Sequence, residues 1–200
     1  MRYQNYDFVI AGAGIIGCAI ALEIKNQIPK SNILILEKEP RIGMHSSGRN
    51  SGVLHAGFYY TEDSLKARFC VEGNRAIKQF CAEHSLKINE CGKLVVAKDE
   101  GELETLRELE CRGNINGAGT KLISEAEARE IDPNVKTFTR ALWSPHTATV
   151  DPLEVLLKLQ EILNEKGVNF IFGERVLGFS NGTVTSNKGN SYSSGYFINA

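Results

Sequence analysis

The sequence predicts an α/β fold whose central sheet contains parallel strands. One observation is a glycine-rich turn, GAGIIG, that joins a short apolar run to a helical segment near the start of the chain. The other is a second apolar run, NILIL, shortly after that helical segment. A strand, a helix and a second strand within about 30 residues form a βαβ unit, whose two strands lie parallel in one sheet.

The spacing of apolar residues gives the order of the elements along the chain. The first half is predicted to contain a strand at 7–11, a helix at 15–27, a strand at 32–36, a helix at 64–84 and a strand at 93–98. Two charged helices follow at 102–112 and 124–131, and the second begins with a Ser-x-x-Glu capping pattern. Residues 141–150 are predicted to be extended.

A strong helix start marks the later part of the chain. Asp151 is the expected N-cap, Pro152 stands in the first turn and Glu154 follows at the third position. This helix is expected to end at Gly167 and to bury an apolar face that comprises Val155, Leu156, Leu159, Ile162 and Leu163. A strand at 168–172 and short strands separated by NG and KGN turns then lead to a final buried strand in YFINA.

The glycine-rich turn has the spacing that dinucleotide-binding proteins use. Gly12 permits the tight turn, Gly14 lets the backbone approach a pyrophosphate, and Gly17 lets the helix pack closely on the strand. Glu37 follows about 20 residues later, where a carboxylate accepts hydrogen bonds from a ribose 2′-hydroxyl and repels the additional phosphate of NADP. A turn selected for packing alone is the alternative, but the flanking strand, helix and acid favour a Rossmann-like dinucleotide site.

The segment after the second strand indicates FAD rather than NAD. A simple NAD-binding domain has a short connection there, whereas this chain continues into HSSGRNSGVLHAGFYY, residues 45–60. A long loop is uncommon unless it has a function, and small residues allow a backbone to lie against a flat ring. The side chains that can donate to phosphate oxygens are those of Ser46, Ser47, Asn50 and Ser51. A solvated surface loop is the alternative.

These motifs resemble those of a known family. FVIAGAGIIG, ILEKE and HSSGRNSGVLHAGFYYTEDSLKARFC are similar to segments of the FAD-dependent oxidoreductases of the D-amino-acid oxidase superfamily, and within it of the L-2-hydroxyglutarate dehydrogenase/oxidase family. CGKLVVA, SPHTATVDP and FINA extend the resemblance over essentially the whole chain. The resemblance implies a Rossmann-like FAD-binding domain of the glutathione-reductase/D-amino-acid-oxidase type with part of an inserted α+β substrate domain.

The resemblance also implies a division of the chain. Residues 1–84 and 145–200 are expected to form the FAD-binding domain, and residues 85–144 part of the substrate or cap domain. Members of the family are longer, so we expect these 200 residues to be the N-terminal portion of a longer protein. The FAD-binding domain is then incomplete at its C-terminus, and the other half of the same protein is its partner.

By this resemblance, FAD binds non-covalently along the residues that match the family motifs. The ADP half is expected at Gly12, Gly14, Gly17, Glu37 and Lys38. The diphosphate and the flavin side are expected at Ser47, Asn50, Ser51 and Gly52. The backbone of Val176 matches a position that contacts the adenine.

The implied reaction is the oxidation of a small 2-hydroxy acid, L-2-hydroxyglutarate, to 2-oxoglutarate, with electrons passed to a quinone, another acceptor or oxygen. Hydride transfer to flavin leaves the protein to orient the substrate and to remove the hydroxyl proton. His55 is the candidate general base, because an imidazole titrates near neutral pH and its loop is expected to face the flavin. A hydrogen bond from His55 to the flavin or to the loop backbone is the alternative role.

Other interpretations stay open at this point. The cationic partners of the substrate carboxylates could come from Arg49, Lys66 and Arg68, or these side chains could be solvated surface charges. The enzyme could be a related flavoenzyme that acts on glycerol 3-phosphate or an amino acid. The chain could also be a truncated, non-catalytic protein that only holds a dinucleotide.

Charge and cysteine content argue against several other classes. The 24 acidic and 23 basic side chains provide no basic surface for nucleic acid. The five cysteines lack a C-x-x-C pair and no ligand spacing indicates a metal, so we expect no metal site, reduced thiols and a cytoplasmic location. The apolar run at 8–22 is shorter than the ~20 residues needed to span a bilayer, although a peripheral association with the inner membrane is compatible with the sequence.

Overall fold

The computed structural model describes residues 5–200, which fall into two compact units. The terminal unit comprises the chain up to Ser51 together with Pro152–Ala200, and the central unit comprises Gly52–Asp151. The first four residues of the predicted segment 1–84 lie outside the described residues.

The helices and strands of the described residues follow the predicted order closely. In the first half they are β1 (Asn5–Ala11), α1 (Ile15–Gln27), β2 (Ile33–Glu37), β3 (Val53–Leu54), α2 (Leu65–Glu83), β4 (Ile88–Asn89) and β5 (Lys93–Val96). In the second half they are α3 (Glu100–Ile115), β6 (Lys121–Ser124), α4 (Glu125–Ile131), β7 (Arg140–Ser144), β8 (Ala148–Val150), α5 (Pro152–Glu165), β9 (Asn169–Phe172), β10 (Val176–Ser180), β11 (Thr183–Ser186) and β12 (Ser191–Asn199). A single 3₁₀ turn at Ser46–Gly48 interrupts the long segment after β2.

The terminal unit is built on a six-stranded sheet with the strand order β10-β11-β12-β1-β2-β9. Strands β12, β1, β2 and β9 are parallel, and β10 and β11 form antiparallel pairs at one edge. The predicted βαβ unit is confirmed, since α1 connects the parallel strands β1 and β2. Ile33–Leu36 of β2 are all buried, which is typical of a parallel strand covered on both faces.

Helices α1 and α5 pack against each other in the terminal unit. The apolar face predicted for α5 is buried at Val155, Leu156, Leu159 and Leu163. Ile162, the fifth predicted member, is only half-buried. On α1, a Cβ added to Gly17 would lie 2.1 Å from the carbonyl oxygen of Gly12, and this close approach explains why glycine occupies the position.

The predicted last strand is present and lies parallel to β1, but the prediction that it is buried is wrong in part. The Tyr196 side chain is 68% exposed, and its ring stacks on that of Phe8 with centroids 5.3 Å apart. Phe197 is partly buried. Apolar and aromatic composition indicates a strand, whereas burial depends on which elements elsewhere in the chain cover each face.

The central unit contains two three-stranded antiparallel sheets, β3-β8-β4 and β5-β7-β6. Helix α3 packs on the second sheet, where Leu106 and Leu109 are buried and Leu103 packs against the same cluster. The other buried members are Ala56, Phe58, Ala97, Ala118 and Leu142. The sequence did not indicate β3 and β4, because runs of two residues are too short to show a period, and it did not indicate β6.

The boundaries between the two units differ from the expected domain division. Residues 52–84 and 145–151 group with the central unit, because β8 pairs with both β3 and β4. The buried side chain of Asn74 on α2 strengthens this grouping, since its Nδ2 donates to the carbonyl oxygens of Leu54 and His146. Which segments serve FAD and which serve substrate stays a prediction.

Candidate functional site

A cleft of about 600 Å³ lies in the terminal unit at the carboxyl ends of β1 and β2. Ligands of open α/β sheets bind at this end of the strands. Its walls come from the glycine-rich turn, the end of β2, the segment 43–47, the segment 174–179 and the end of β12. The predicted cofactor-binding residues that line it are Gly12, Gly14, Glu37, Lys38, Ser47 and Val176.

The turn at Gly12 forms the floor of the cleft. Gly12 has a φ of +106°, and its N–H donates to the carbonyl oxygen of Leu36 at 2.8 Å. A Cβ at Gly12 would lie 2.5 Å from the carbonyl oxygen of Ala200, and the N–H of Ala200 donates to Ala11. Both the backbone conformation and the close approach of β12 therefore require glycine at this position.

The N-terminus of α1 opens toward the cleft. Its N-cap, Gly14, has no side chain, and the Oγ of Ser47 accepts the hydrogen bond of the Ile15 N–H at 3.0 Å instead. A Cβ at Gly14 would meet that Oγ at 3.0 Å. The first turn of the helix itself contains no acidic residue, which favours the binding of an anion at this helix end.

Glu37 connects the end of β2 to the glycine-rich turn. Its Oε2 accepts from the Ala13 N–H at 2.8 Å, and its Oε1 accepts from the Glu39 N–H at 2.9 Å. Each carboxylate oxygen can accept more than one hydrogen bond. The side chain is therefore fixed in orientation and retains acceptor capacity toward the cleft.

Charges of both signs surround the rim of the cleft. His45 Nε2 lies 2.7 Å from Glu39 Oε1. This hydrogen bond is the largest cause that lowers the pKa of Glu39, and the charges of His45, Lys38 and Arg175 act in the same direction. The rim is thus not a simple cationic surface, and its basic side chains are partly compensated by Glu39.

A buried carboxylate that sequence reasoning missed supports one wall of the cleft. Glu174 is 5% exposed, and it accepts from the Tyr192 hydroxyl at 2.8 Å and from Asn190 Nδ2 at 3.1 Å. Burial raises its pKa, but hydrogen bonds from Ser186, Tyr192 and Asn190 outweigh burial, so the pKa of Glu174 is lowered. Burial and the neighbouring Glu174 raise the pKa of Tyr192 to about 12. The N–H of Glu174 also donates to the carbonyl oxygen of Glu37 at 2.9 Å.

Other predicted cofactor-binding residues do not line the cleft. Gly17 is buried beneath the turn. Asn50 donates from Nδ2 to the carbonyl oxygens of Ser46 and Ser47, and so supports the segment that carries the Ser47 side chain. Ser51 is exposed and is the last residue of the first segment of the terminal unit. Gly52, with a φ of +68°, is the first residue of the central unit.

His55, the candidate base, lies in the central unit with an exposed side chain. Its backbone carbonyl oxygen accepts from Asn74 Nδ2 and Cys70 Sγ, both at 3.3 Å. Partial burial and the positive charge of Lys93 lower the pKa of His55. Both effects favour the neutral imidazole, which is the form that accepts a proton.

Two lysines of the central unit lie over tyrosine rings. Lys93 Nζ is 4.7 Å from the ring centroid of Tyr59 and 6.0 Å from that of Phe58. Lys66 Nζ is 4.5 Å from the ring centroid of Tyr60. Sequence reasoning did not single out Lys93, because residues 93–98 have the pattern of an ordinary strand.

The two predicted arginines are both exposed. Arg68 pairs with Glu72 one turn along α2, with Nε and Oε1 3.1 Å apart, and this favours the solvated alternative for Arg68. Arg49 lies in the terminal unit.

Residues 5–200 contain neither a metal-binding cluster nor a membrane-spanning helix. No group of three or more His, Cys, Asp or Glu side chains is arranged to hold a metal ion. No helix in this part of the chain combines the length and the apolar character needed to cross a membrane.

Comparison with known proteins places the chain among flavin-dependent enzymes. The family described as FAD dependent oxidoreductase matches residues 7–200. The chain is 39% identical over 182 residues to L-2-hydroxyglutarate dehydrogenase of Escherichia coli, which covers 90% of this chain and 43% of that protein. It is 35% identical over 176 residues to the mitochondrial L-2-hydroxyglutarate dehydrogenase of Homo sapiens, which covers 88% of this chain and 38% of that protein. The chain thus spans about two fifths of the length of these relatives.

Solved structures share the architecture. L-proline dehydrogenase from P. horikoshii matches with a TM-score of 0.87 and 26% identity, over 100% of this chain and 53% of that one. L-alpha-glycerophosphate oxidase from Mycoplasma pneumoniae with FAD bound matches with a TM-score of 0.87 and 24% identity, over 98% of this chain and 54% of that one. At 24% identity, the similarity to the glycerophosphate oxidase shows the fold alone. Together with the family match, these structures confirm the predicted fold class.

Proposed function

Because the chain belongs to the family of FAD-dependent oxidoreductases, we propose that it provides the FAD-binding cleft and part of the substrate-binding region of an enzyme that oxidises L-2-hydroxyglutarate to 2-oxoglutarate. The observation that carries the proposal is 39% identity to an L-2-hydroxyglutarate dehydrogenase over 90% of the chain. Since that relative is more than twice as long, the activity is proposed for a protein of the relative's length that contains this sequence.

The residues that line the cleft support the proposal that it binds the ADP half of FAD. The proposed pyrophosphate position is at the N-terminus of α1, beside Gly14 and the hydroxyl of Ser47. The proposed ribose partner is Glu37, whose carboxylate is already oriented by two backbone N–H groups. The backbone of Val176, in the wall that Glu174 supports, is the proposed adenine contact. FAD bound there would supply the redox chemistry, by accepting a hydride from the substrate.

We assign to His55 the removal of the hydroxyl proton from the substrate. A neutral imidazole is required, and partial burial together with Lys93 lowers the pKa of His55 in that direction. Replacement by glutamine separates this role from the alternative hydrogen-bonding role. If His55 is the base, His55→Gln abolishes the acidic limb of the pH profile of flavin reduction and leaves FAD retention unchanged. If it only holds the cofactor or the loop, FAD retention falls and the pH profile keeps its shape.

The electron acceptor and the location belong to the same proposal. A cytoplasmic protein with a peripheral contact to the inner membrane would pass electrons to a quinone, and a protein without that contact would use another acceptor or oxygen. Reoxidation of the reduced protein by a soluble quinone analogue and by oxygen, compared under the same conditions, distinguishes these acceptors.

The experiment that tests the proposed function is the absorption spectrum of the purified chain after it is loaded with FAD and freed of excess. Retained flavin bands are expected in the chain, and bleaching by L-2-hydroxyglutarate without oxygen is expected in the longer protein that contains it. Glycerol 3-phosphate and amino acids serve as comparison substrates for the related flavoenzymes. A folded chain, judged by circular dichroism, that retains no flavin would contradict the proposed cofactor site. Retained flavin that only a comparison substrate bleaches would contradict the proposed substrate.

A further inference from the structure

We propose that Lys93, positioned over the ring of Tyr59, binds a carboxylate of the dicarboxylate substrate. The inference rests on the proposed function for the identity of the substrate. It goes beyond that function because it assigns a specificity-determining residue to the central unit. A dicarboxylate requires cationic donors, and a lysine ammonium group provides three.

The surroundings of Lys93 are aromatic rather than acidic. Its Nζ lies 4.7 Å from the centroid of Tyr59, whose ring packs on Phe58 with centroids 4.1 Å apart. None of the ion pairs found among residues 5–200 includes Lys93. A ring face attracts the ammonium group, but it leaves the N–H donors of that group available to an anion. The ammonium group can therefore donate to a carboxylate that arrives from solvent.

The backbone that carries Lys93 is held firmly. Lys93 pairs with Ser144 in the ladder between β5 and β7. The preceding residue, Gly92, has a φ of +66°, and a Cβ there would lie 1.9 Å from Cη2 of Trp143. The N–H of Gly92 donates to the carbonyl oxygen of Thr147 at 3.0 Å. A binding residue on a rigid strand loses less entropy on binding than one on a mobile loop.

Lys93 is also electrostatically coupled to the candidate base. Its charge contributes to the lowered pKa of His55. A carboxylate bound at Lys93 compensates this charge and shifts the pKa of His55 upward, so binding of the substrate strengthens the base that acts on it. Lys66 shows no such coupling to His55, and its side chain is exposed over Tyr60.

The test is a titration of the FAD-loaded chain with glutarate, a dicarboxylate without the oxidisable hydroxyl. Binding is followed by the NMR signals of isotope-labelled histidine, and the His55 signal is identified with His55→Gln. Lys93→Gln is expected to weaken glutarate binding by about tenfold and to raise the pKa of His55 in the free chain. Lys93→Arg is expected to retain the affinity within about threefold, because the positive charge and the donors remain. Lys121→Gln, a change of an exposed lysine on β6, is the matched control and should leave both quantities unchanged.

The outcomes separate this inference from the proposed function. Flavin retention in the same samples reports on the cofactor site alone, and a chain that retains no flavin is titrated with glutarate in its apo form. Equal glutarate affinity in Lys93→Gln and the unmodified chain overturns the assignment of Lys93. Absence of glutarate binding in the unmodified, folded chain also overturns it. A loss of affinity in Lys66→Gln but not in Lys93→Gln transfers the role to the other lysine.

Discussion

The carboxylate of Glu37 accepts a hydrogen bond from the backbone N–H of Ala13 at 2.8 Å. The residue proposed to bind the ribose thereby also fixes the glycine-rich turn proposed to approach the pyrophosphate. The two parts of the ADP site are thus linked by one side chain, and a change at Glu37 should affect both stability and FAD binding.

Glu37→Gln is expected to weaken FAD binding by about tenfold or more. An amide has only one oxygen, so its NH₂ group would face one of the two backbone N–H groups that the carboxylate now accepts from. Flavin fluorescence quenching on titration with FAD measures the affinity. Glu165→Gln, at the end of α5, is the control and should bind FAD as the unmodified chain does. Equal affinity in Glu37→Gln would contradict the assignment of this carboxylate to the cofactor.

Ser47→Ala is expected to lower the free energy of unfolding by about 1 kcal/mol, the usual effect of a lost helix cap. The Oγ of Ser47 accepts the hydrogen bond of the Ile15 N–H, although the two residues are far apart in sequence. Urea denaturation of the apo chain measures the change. Ser46→Ala, at the neighbouring exposed side chain, is the control. A loss as large in Ser46→Ala as in Ser47→Ala would show that the hydroxyl does not act as a cap.

Two glycine-to-alanine changes inside helices should have opposite effects on the stability of the chain. Gly17→Ala places a Cβ 2.1 Å from the carbonyl oxygen of Gly12 and is expected to destabilise the chain by about 1–3 kcal/mol. Gly73→Ala in α2 meets nothing within 4 Å and is expected to stabilise it by about 0.5–1 kcal/mol. Thermal unfolding of both variants measures the shifts. Destabilisation by both changes would mean that helix flexibility, rather than close packing, determines the choice of glycine.

Asn74→Leu is expected to destabilise the central unit by about 1–3 kcal/mol. The buried Nδ2 of Asn74 donates to the carbonyl oxygens of Leu54, His55 and His146, and leucine leaves these acceptors without this donor. Gln79→Leu removes an exposed amide from the same helix and should change stability by less than about 0.5 kcal/mol. Hydrogen exchange of amides in β3 and β8 localises the effect, and equal exchange in the two variants would argue against a bridging role for Asn74.

Structural features that depend on residues close together in the sequence can be predicted, whereas features that depend on residues far apart in the sequence are missed. The bounds of α1 and the parallel pairing of β1 and β2 follow from the glycine spacing and from local apolar runs. The contact between Lys93 and Tyr59 joins β5 to the segment before α2, which is distant in the sequence. The burial of Glu174 likewise depends on the hairpin that carries Tyr192. An isolated charged residue in a strand-like run gives no signal of such a partner.

Acid should weaken the terminal unit through Glu174. The pKa of this carboxyl is lowered in the folded chain, because hydrogen bonds from Ser186, Tyr192 and Asn190 outweigh burial. A lowered folded pKa means that the contribution to stability is fully present above the unfolded value of about 4.3 and is lost as the pH falls through the folded value.

Glu174→Gln should therefore destabilise the chain at neutral pH, because an amide cannot replace the charged acceptor of the Tyr192 hydroxyl. The difference from the unmodified chain should shrink below about pH 4, where the carboxyl becomes protonated as well. Urea denaturation at a series of pH values measures the free energy of unfolding of both proteins against pH. Glu23→Gln, on the exposed side of α1, is the control, and its curve should run parallel to that of the unmodified chain. If the Glu174→Gln curve is also parallel, the buried carboxylate contributes no pH-dependent stability, and its hydrogen bonds act only through their geometry.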